Sequence, residues 1–153
     1  MPELHTAGFG VVAYEEASVL RFPAGLPAFE EEREFLLIEK PETAPILFLQ
    51  SLRTPALAFL TIPAGMVDPA YRPALEAEDA ALVELPSSRD VEASEDIGCL
   101  GIITIPEGGA PTVNLMAPII INRSRRLGVQ AIQCGAGYSH EHPLVVPQGK
   151  DAC

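Results

Sequence analysis

The run His140-Glu141-His142 is the most enzyme-like feature of the chain. On a strand, residues i and i+2 face the same side, so the two imidazoles could share a metal ion. A zinc site needs further ligands, and the sequence offers none at a telling spacing. His5 is the only other histidine, far away in the sequence, and Cys134 would come near only by chance of the fold. The histidines are therefore read as hydrogen-bonding or solvent-facing, and no metal is expected. Gly8-Phe9-Gly10 is too short to cradle a phosphate and does not lead into a helix. Ser51 follows Gln50 in a strand context with no base at a telling distance. With no nucleophile elbow, P-loop or dinucleotide fingerprint, the expectation is a protein that is not an enzyme and uses no cofactor. Two alternatives stay open: a small metal-dependent enzyme using His140 and His142, and a β-barrel binder of small molecules.

The elements that must carry these residues are short. Fifteen prolines and twelve glycines divide the 153 residues into segments rich in Val, Ile, Leu, Phe and Thr, which is a strand signature. Residues 35–39, 46–51, 56–62, 97–105, 112–122 and 127–134 each read as one strand, and residues 11–22 as a further candidate. Turn chemistry separates them at residues 23–27, 63–65, 106–111 and 122–128. One stretch, residues 77–85, reads as a helix, with Glu78 and Asp79 in the first turn, where the helix dipole favours negative charge. Ala81, Leu82 and Leu85 are expected on its buried face. Pro118 falls inside the run TVNLMAPIIIN, and a proline cannot donate to a ladder, so that strand must bend, bulge or lie at an edge there. The resulting expectation is an all-β, mostly antiparallel domain, a small closed or partly open β-barrel-like domain with one short helix near 77–85; periodicity alone leaves a sandwich open as well. Residues 1–144 are expected to form that single domain and 145–153 a frayed tail.

Charge bounds the partners. Asp and Glu number 21 against 10 Lys and Arg, a formal charge of −11, which repels phosphate backbones and anionic membrane surfaces. No direct nucleic-acid binding and no membrane association are expected, whereas a basic protein would be attracted. The longest uncharged run, Gly108 to Asn122, has 15 residues and is interrupted by Pro111 and Pro118; a spanning helix takes about 20. Glu3, Glu15 and Glu16 are unlike a secretory signal. Cys99, Cys134 and Cys153 are odd in number and form no CxxC pair, which suits a reducing compartment. A cytoplasmic location is expected. The carboxylates are also clustered. Eight lie between Glu76 and Asp96 against Arg89 alone, and a second group, Glu30, Glu31, Glu32, Glu34, Glu39 and Glu42, faces Arg33 and Lys40. On charge alone, such clusters are most simply solvated faces.

Several motifs change that reading. FPAGLPAFE at 22–30, Leu49-Gln50-Ser51, Asp68-Pro69-Ala70-Tyr71, TVNLMAPIIIN at 112–122, Gln130 and YSHEHPL at 138–144 occur in the order found in the FliW family of flagellar assembly factors, and the chain resembles that family over about nine-tenths of its length. Glu141 departs from the family pattern, where a basic residue is common. The resemblance implies a cytoplasmic protein, monomeric when free, that binds flagellin and, once flagellin is exported, binds the RNA-binding repressor CsrA and relieves its hold on flagellin translation. The acidic surface of Glu76, Glu78, Asp79 and Glu84 is then the candidate CsrA-facing site. Phe29, Asp68 and Tyr71 are candidate contacts for an apolar helix of flagellin, the competing reading being that both rings are core. Asn114 and Asn122 are read as satisfying backbone at the strand's bend and turn.

Overall fold

Alternation along the apolar runs builds the barrel. The computed structural model describes residues 1–134 and 137–144. In order along the chain it contains β1 (Glu3–Thr6), β2 (Gly10–Ala13), β3 (Leu20–Arg21), β4 (Glu34–Glu39), β5 (Leu47–Ser51), β6 (Ala58–Pro63), α1 (Ala64–Val67), α2 (Ala77–Val83), β7 (Ile97–Thr104), β8 (Thr112–Asn122), β9 (Leu127–Gln130) and β10 (His142–Pro143). Strands β8, β7, β6, β5, β4, β3 and β9 are neighbours in that order, and β9 returns to β8, so the seven close into a barrel. All pair antiparallel except β3 with β9. The all-β, mostly antiparallel expectation is thus met, and of the closed and partly open forms it allowed, the barrel takes the closed one.

Successive residues of one strand fall in different cores, as period-two geometry requires. Phe35 of β4, Leu49 of β5, Leu100 of β7 and Ile119 and Ile121 of β8 pack together inside, with Phe22 and Leu26. Their neighbours point outward. Leu36 meets Leu4 and Val19 under the β1–β2 hairpin. Cys99, Ile103, Val113 and Ile120 meet Tyr71, Leu75, Ala80, Val83 and Val91 of the long excursion between β6 and β7. The barrel therefore has an apolar interior and two separate outer covers. The motif FPAGLP supplies part of the filling: Gly25, at φ +69, turns the chain so close to Glu30 that an added Cβ would lie 2.5 Å from its carbonyl oxygen. That turn seats Phe22 and Leu26 at 0% and 2% exposure in the interior.

The expected break at Pro118 is a large bulge. Leu100 pairs with Ile119 and Ile102 pairs with Asn114, so β8 runs through residues 115–118 while β7 advances across Gly101. Gly101 has room for no side chain, because a Cβ there would collide with the Cγ1 of Val113.

Other expectations need correction. The candidate strand at 11–22 is interrupted by a 3-10 turn at Glu16–Ser18, leaving Gly10–Ala13 in the hairpin and Leu20–Arg21 in the barrel. The strand expected over 127–134 ends at Gln130, because the residues beyond turn to the β8 bulge, and Cys134 is exposed outside any strand. The helix ends at Val83 and buries Ala80 and Val83, leaving Ala81 exposed and Leu82 and Leu85 only partly buried. Its two inward positions are three residues apart, the spacing one short helix can turn to a sheet. The tail after 144 lies outside the described residues.

Gly128 of β9 gives a test of interior packing. A Cβ there would stand 2.5 Å from Cζ of the fully buried Phe22. Gly128→Ala is expected to cost about 1–3 kcal/mol in urea unfolding. Combined with Phe22→Leu, the cost should fall well short of the sum of the single costs. Additive costs would show that the ring is not the obstacle.

Candidate functional site

Helix α2 carries the first candidate surface. Glu76 is its N-cap, at φ −68° and ψ 159°, with no side-chain cap bond, and Glu78 and Asp79 occupy the first turn. Glu76 and Glu78 are exposed and Asp79 is half-buried. Burial raises the Asp79 pKa above its ordinary value, and the charges of Glu78 and Glu76 raise it further. Glu76 and Glu78 therefore lie close enough for their charges to reach Asp79. Glu84 stands at the opposite end. Its left-handed backbone (φ 57°, ψ 42°) stops the helix, and its carboxylate lies 3.4 Å from Arg125. An exposed pair of this kind adds little stability, but it removes Glu84 from the negative cluster. Asn122, at the end of β8, holds the helix by donating from Nδ2 to the Val83 carbonyl at 2.8 Å. Its Oδ1 accepts from Ser124 Oγ at 3.1 Å and Arg125 N at 3.3 Å, so Asn122 does satisfy backbone at the turn.

The second acidic cluster does not form one surface. Glu31 pairs with Arg53 at 2.8 Å and Glu34 with Arg21 at 3.8 Å. Glu30 accepts from the Ala28 amide at 3.1 Å, which steadies the left-handed Ala28. Glu32 is buried, accepting from the Ser51 hydroxyl and from Thr54 Oγ1 at 2.6 Å. Ser51 Oγ in turn accepts from the amides of Arg53 and Thr54. Gln50, 1% exposed, donates from Nε2 to the carbonyls of Ser51, Pro55 and Leu57. Gln50 and Ser51 thus hold the β5–β6 loop, and Ser51 is tied to a carboxylate rather than presented as a nucleophile. Counting charges could not reveal Glu32, since its partners lie 19 and 22 residues away.

Phe29, Asp68 and Tyr71 separate. Phe29 remains 39% exposed, its ring edge-on to Phe59 at 5.4 Å and 83°. Asp68 is half-buried and builds a turn, its Oδ1 accepting from Ala70 N at 3.0 Å. Tyr71, proposed as a surface contact, is instead core: 4% exposed, edge-on to Tyr138 at 4.5 Å, with its hydroxyl donating to the Leu115 carbonyl at 2.5 Å. Burial pushes its phenol pKa up, helped by Cys99 and Tyr138.

That last bond belongs to a complete set. At the β8 bulge the Leu115 amide donates to the Ser139 carbonyl at 2.9 Å, and the amides of Met116 and Ala117 donate to Asn114 Oδ1 at 3.0 Å each. The carbonyl of Met116 accepts from Gln133 N, that of Ala117 from Gln130 Nε2, and that of Pro118 from Ala131 N, at 2.6, 3.0 and 2.9 Å. Every backbone group freed by the bulge has a partner, and the motif residues Tyr71, Asn114, Gln130 and Ser139 serve five of the seven. Sequence reasoning anticipated the Asn114 role and missed the other three.

His140 is exposed in a turn and its Nε2 lies 3.6 Å from Glu141, while His142 is half-buried in β10 opposite Val113. Among the described residues, no group of three or more His, Cys, Asp or Glu stands close enough to hold a metal ion. Among those residues, no helix is long and apolar enough to cross a membrane. Burial raises the Cys99 thiol pKa to about 12, leaving it a poor nucleophile.

These features define a class: a closed antiparallel β-barrel whose motif residues brace a bulged strand and whose free charge lies on an outer cover. The family model described as FliW protein matches residues 3–144. A flagellar assembly factor FliW from Caldanaerobacter subterraneus subsp. tengcongensis is 37% identical, with 94% of this chain and 93% of the relative covered. Another, from Geobacillus sp. (strain WCH70), is 34% identical, with 93% and 94% covered. A crystal structure of the flagellar assembly factor FliW superposes with a TM-score of 0.80 at 31% identity, covering 95% of this chain and 98% of that one. The chain belongs to the FliW family.

Two measurements test the local chemistry. Tyr71→Phe leaves the Leu115 carbonyl without its donor and is expected to lower stability by about 1–3 kcal/mol, against a near-zero change if water replaces the hydroxyl. Asp79 gives a pH dependence. Its folded-state pKa is raised above the ordinary 3.8, so the stability linked to its proton is fully present below that value and is lost as pH rises through the raised one. Asp79→Asn should therefore raise the urea midpoint at about pH 7 and lose that advantage at about pH 3. An equal effect at both would remove titration as the cause.

Proposed function

We propose that this chain works in the cytoplasm as a monomeric, non-catalytic regulator that binds flagellin and, when flagellin is scarce, binds CsrA and relieves its repression of flagellin translation. Membership of a family whose relatives are named flagellar assembly factors supports the flagellar setting. The observation that carries the CsrA half is the trio Glu76, Glu78 and Asp79, three carboxylates with no cationic side chain bound to them among the described residues, on a body of charge −11. A protein that binds RNA must present positive charge to it. An acidic body docked beside that surface weakens RNA binding by adding negative potential, without having to cover the RNA site.

For flagellin, a helix laid on an apolar surface is the physically expected mode. Phe29 suits that role better than Tyr71, because its ring is exposed and already braced by Phe59. Asp68, engaged in its own turn, is a weaker contact.

The test is the triple variant Glu76→Lys, Glu78→Lys, Asp79→Lys. At low salt its affinity for CsrA should fall about tenfold or more and the salt dependence of binding should flatten, while flagellin capture is retained. Undiminished CsrA binding across the salt series would refute the acidic-surface reading. Failure of the parent chain to capture either protein would refute the function itself.

A further inference from the structure

The barrel is filled unequally. Phe22, Leu26, Phe35 and Leu49 crowd one part of the interior, whereas a cavity of about 540 Å³ opens beside Leu20, Leu37, Leu47, Leu100 and Ile121. That volume lies in the range of sites for small organic ligands. Its rim is unusual for so acidic a chain, because Arg123 and Arg126 of the turn between β8 and β9 both line it. Arg21, Arg53, Arg72 and Arg125 are each paired with a carboxylate. Among the described residues, Arg33, Arg89, Arg123 and Arg126 have no such pairing, and the last two meet at this rim. Arg126 is fixed in place by its Nε, which donates to the Ala17 carbonyl at 2.6 Å. Arg123 lies over Gly98, where an added Cβ would come within 3.2 Å of its Nη2. Glu39 also lines the cavity and carries the opposing charge there.

The geometry points to a binding site for a small amphiphilic anion: the apolar chain of a fatty carboxylate lies in the barrel mouth and its carboxylate meets the guanidiniums of Arg123 and Arg126. The apolar lining stabilises the chain by removing it from water. Guanidinium forks match a carboxylate and bind it through charge-assisted hydrogen bonds. Glu39 disfavours a ligand with a large anionic head, such as a nucleotide, and leaves room for a single charge. This site is on the barrel mouth and does not depend on the proposed protein partners, so either reading can fail alone.

The experiment is a methyl NMR titration of the intact chain with hexanoate, octanoate and decanoate below their micellar concentrations, with decanol and decyltrimethylammonium as controls. Saturable shifts are expected at the methyls of Leu20, Leu37, Leu47, Leu100 and Ile121. Affinity should rise about fourfold for each added methylene. Arg123→Gln, an exposed change, should weaken decanoate about tenfold and leave decanol unaffected. At Gly65, also part of the lining, a Cβ meets nothing within 4 Å. Gly65→Phe can therefore fold normally while its ring narrows the mouth, and should weaken decanoate and decanol alike. Absence of saturable shifts would overturn the proposal, as would equal binding of the cationic amphiphile or undiminished binding in both variants.

Discussion

The bulge of β8 is the constraint on which the remaining structure depends. This strand pairs with β7 along one side, and on the other it pairs first with β10 and then with β9. It serves both halves only because it bends between Asn114 and Ile119. Proline at 118 makes the bend compatible with the chain, since it has no amide to leave unpaired. Bending frees three amides and four carbonyls, and a buried backbone group without a partner costs about as much as a lost hydrogen bond. Asn114 of the strand itself and three distant segments, at Tyr71, residues 130–133 and Ser139, supply those partners. The closed barrel and its outer cover are therefore joined at this point, because Tyr71 belongs to that cover and bonds to the strand that closes the barrel.

The strands were legible where burial is two-sided. β4, β6, β7 and β8 appear in the sequence as apolar runs because alternate residues enter the interior and an outer core, both apolar. Residues 131–133 read as more strand for the same reason. They are strand-like in composition, but their hydrogen bonds go to the bulge instead of a ladder. The hairpin β1–β2 was illegible, being short and mostly exposed. Helix α2 was legible by its acidic first turn, while its inward face was not, since that depends on which side of a seven-residue helix meets the sheet. Tyr71 shows the limit most clearly. Its hydroxyl partner is 44 residues away, and nothing local distinguishes a tyrosine that anchors a core carbonyl from one that meets a partner.

Charge was legible as an amount and only partly as a surface. The carboxylates at 30–42 form a cluster in sequence, yet the fold assigns Glu31, Glu32 and Glu34 to Arg53, to Ser51 with Thr54, and to Arg21. Those at 76–79 stay together because one helical turn carries them. The difference is geometric: successive residues of a loop or strand diverge, whereas a helix returns to the same side every three or four residues.

Closure also limits how such a protein can be recognised. An open sheet offers a partner the unpaired backbone of its edge strands, and a closed barrel removes that option. Among the described residues, the barrel sheet's outer edge beyond closure is β10, two residues long. Apart from the free edges of the β1–β2 hairpin, the molecule therefore presents side chains rather than strand backbone. On the proposed reading helix α2 fills that role, and Asn122 ties its last turn to the end of β8, which gives its carboxylates a fixed position relative to the barrel. A charge held on a rigid frame interacts with a partner without first losing conformational freedom, which is the advantage of preorganisation in any interface. The asparagine at each end of the β8 signature thus does complementary work: Asn114 lets the strand bend, and Asn122 transmits the rigidity of the closed barrel to the acidic face.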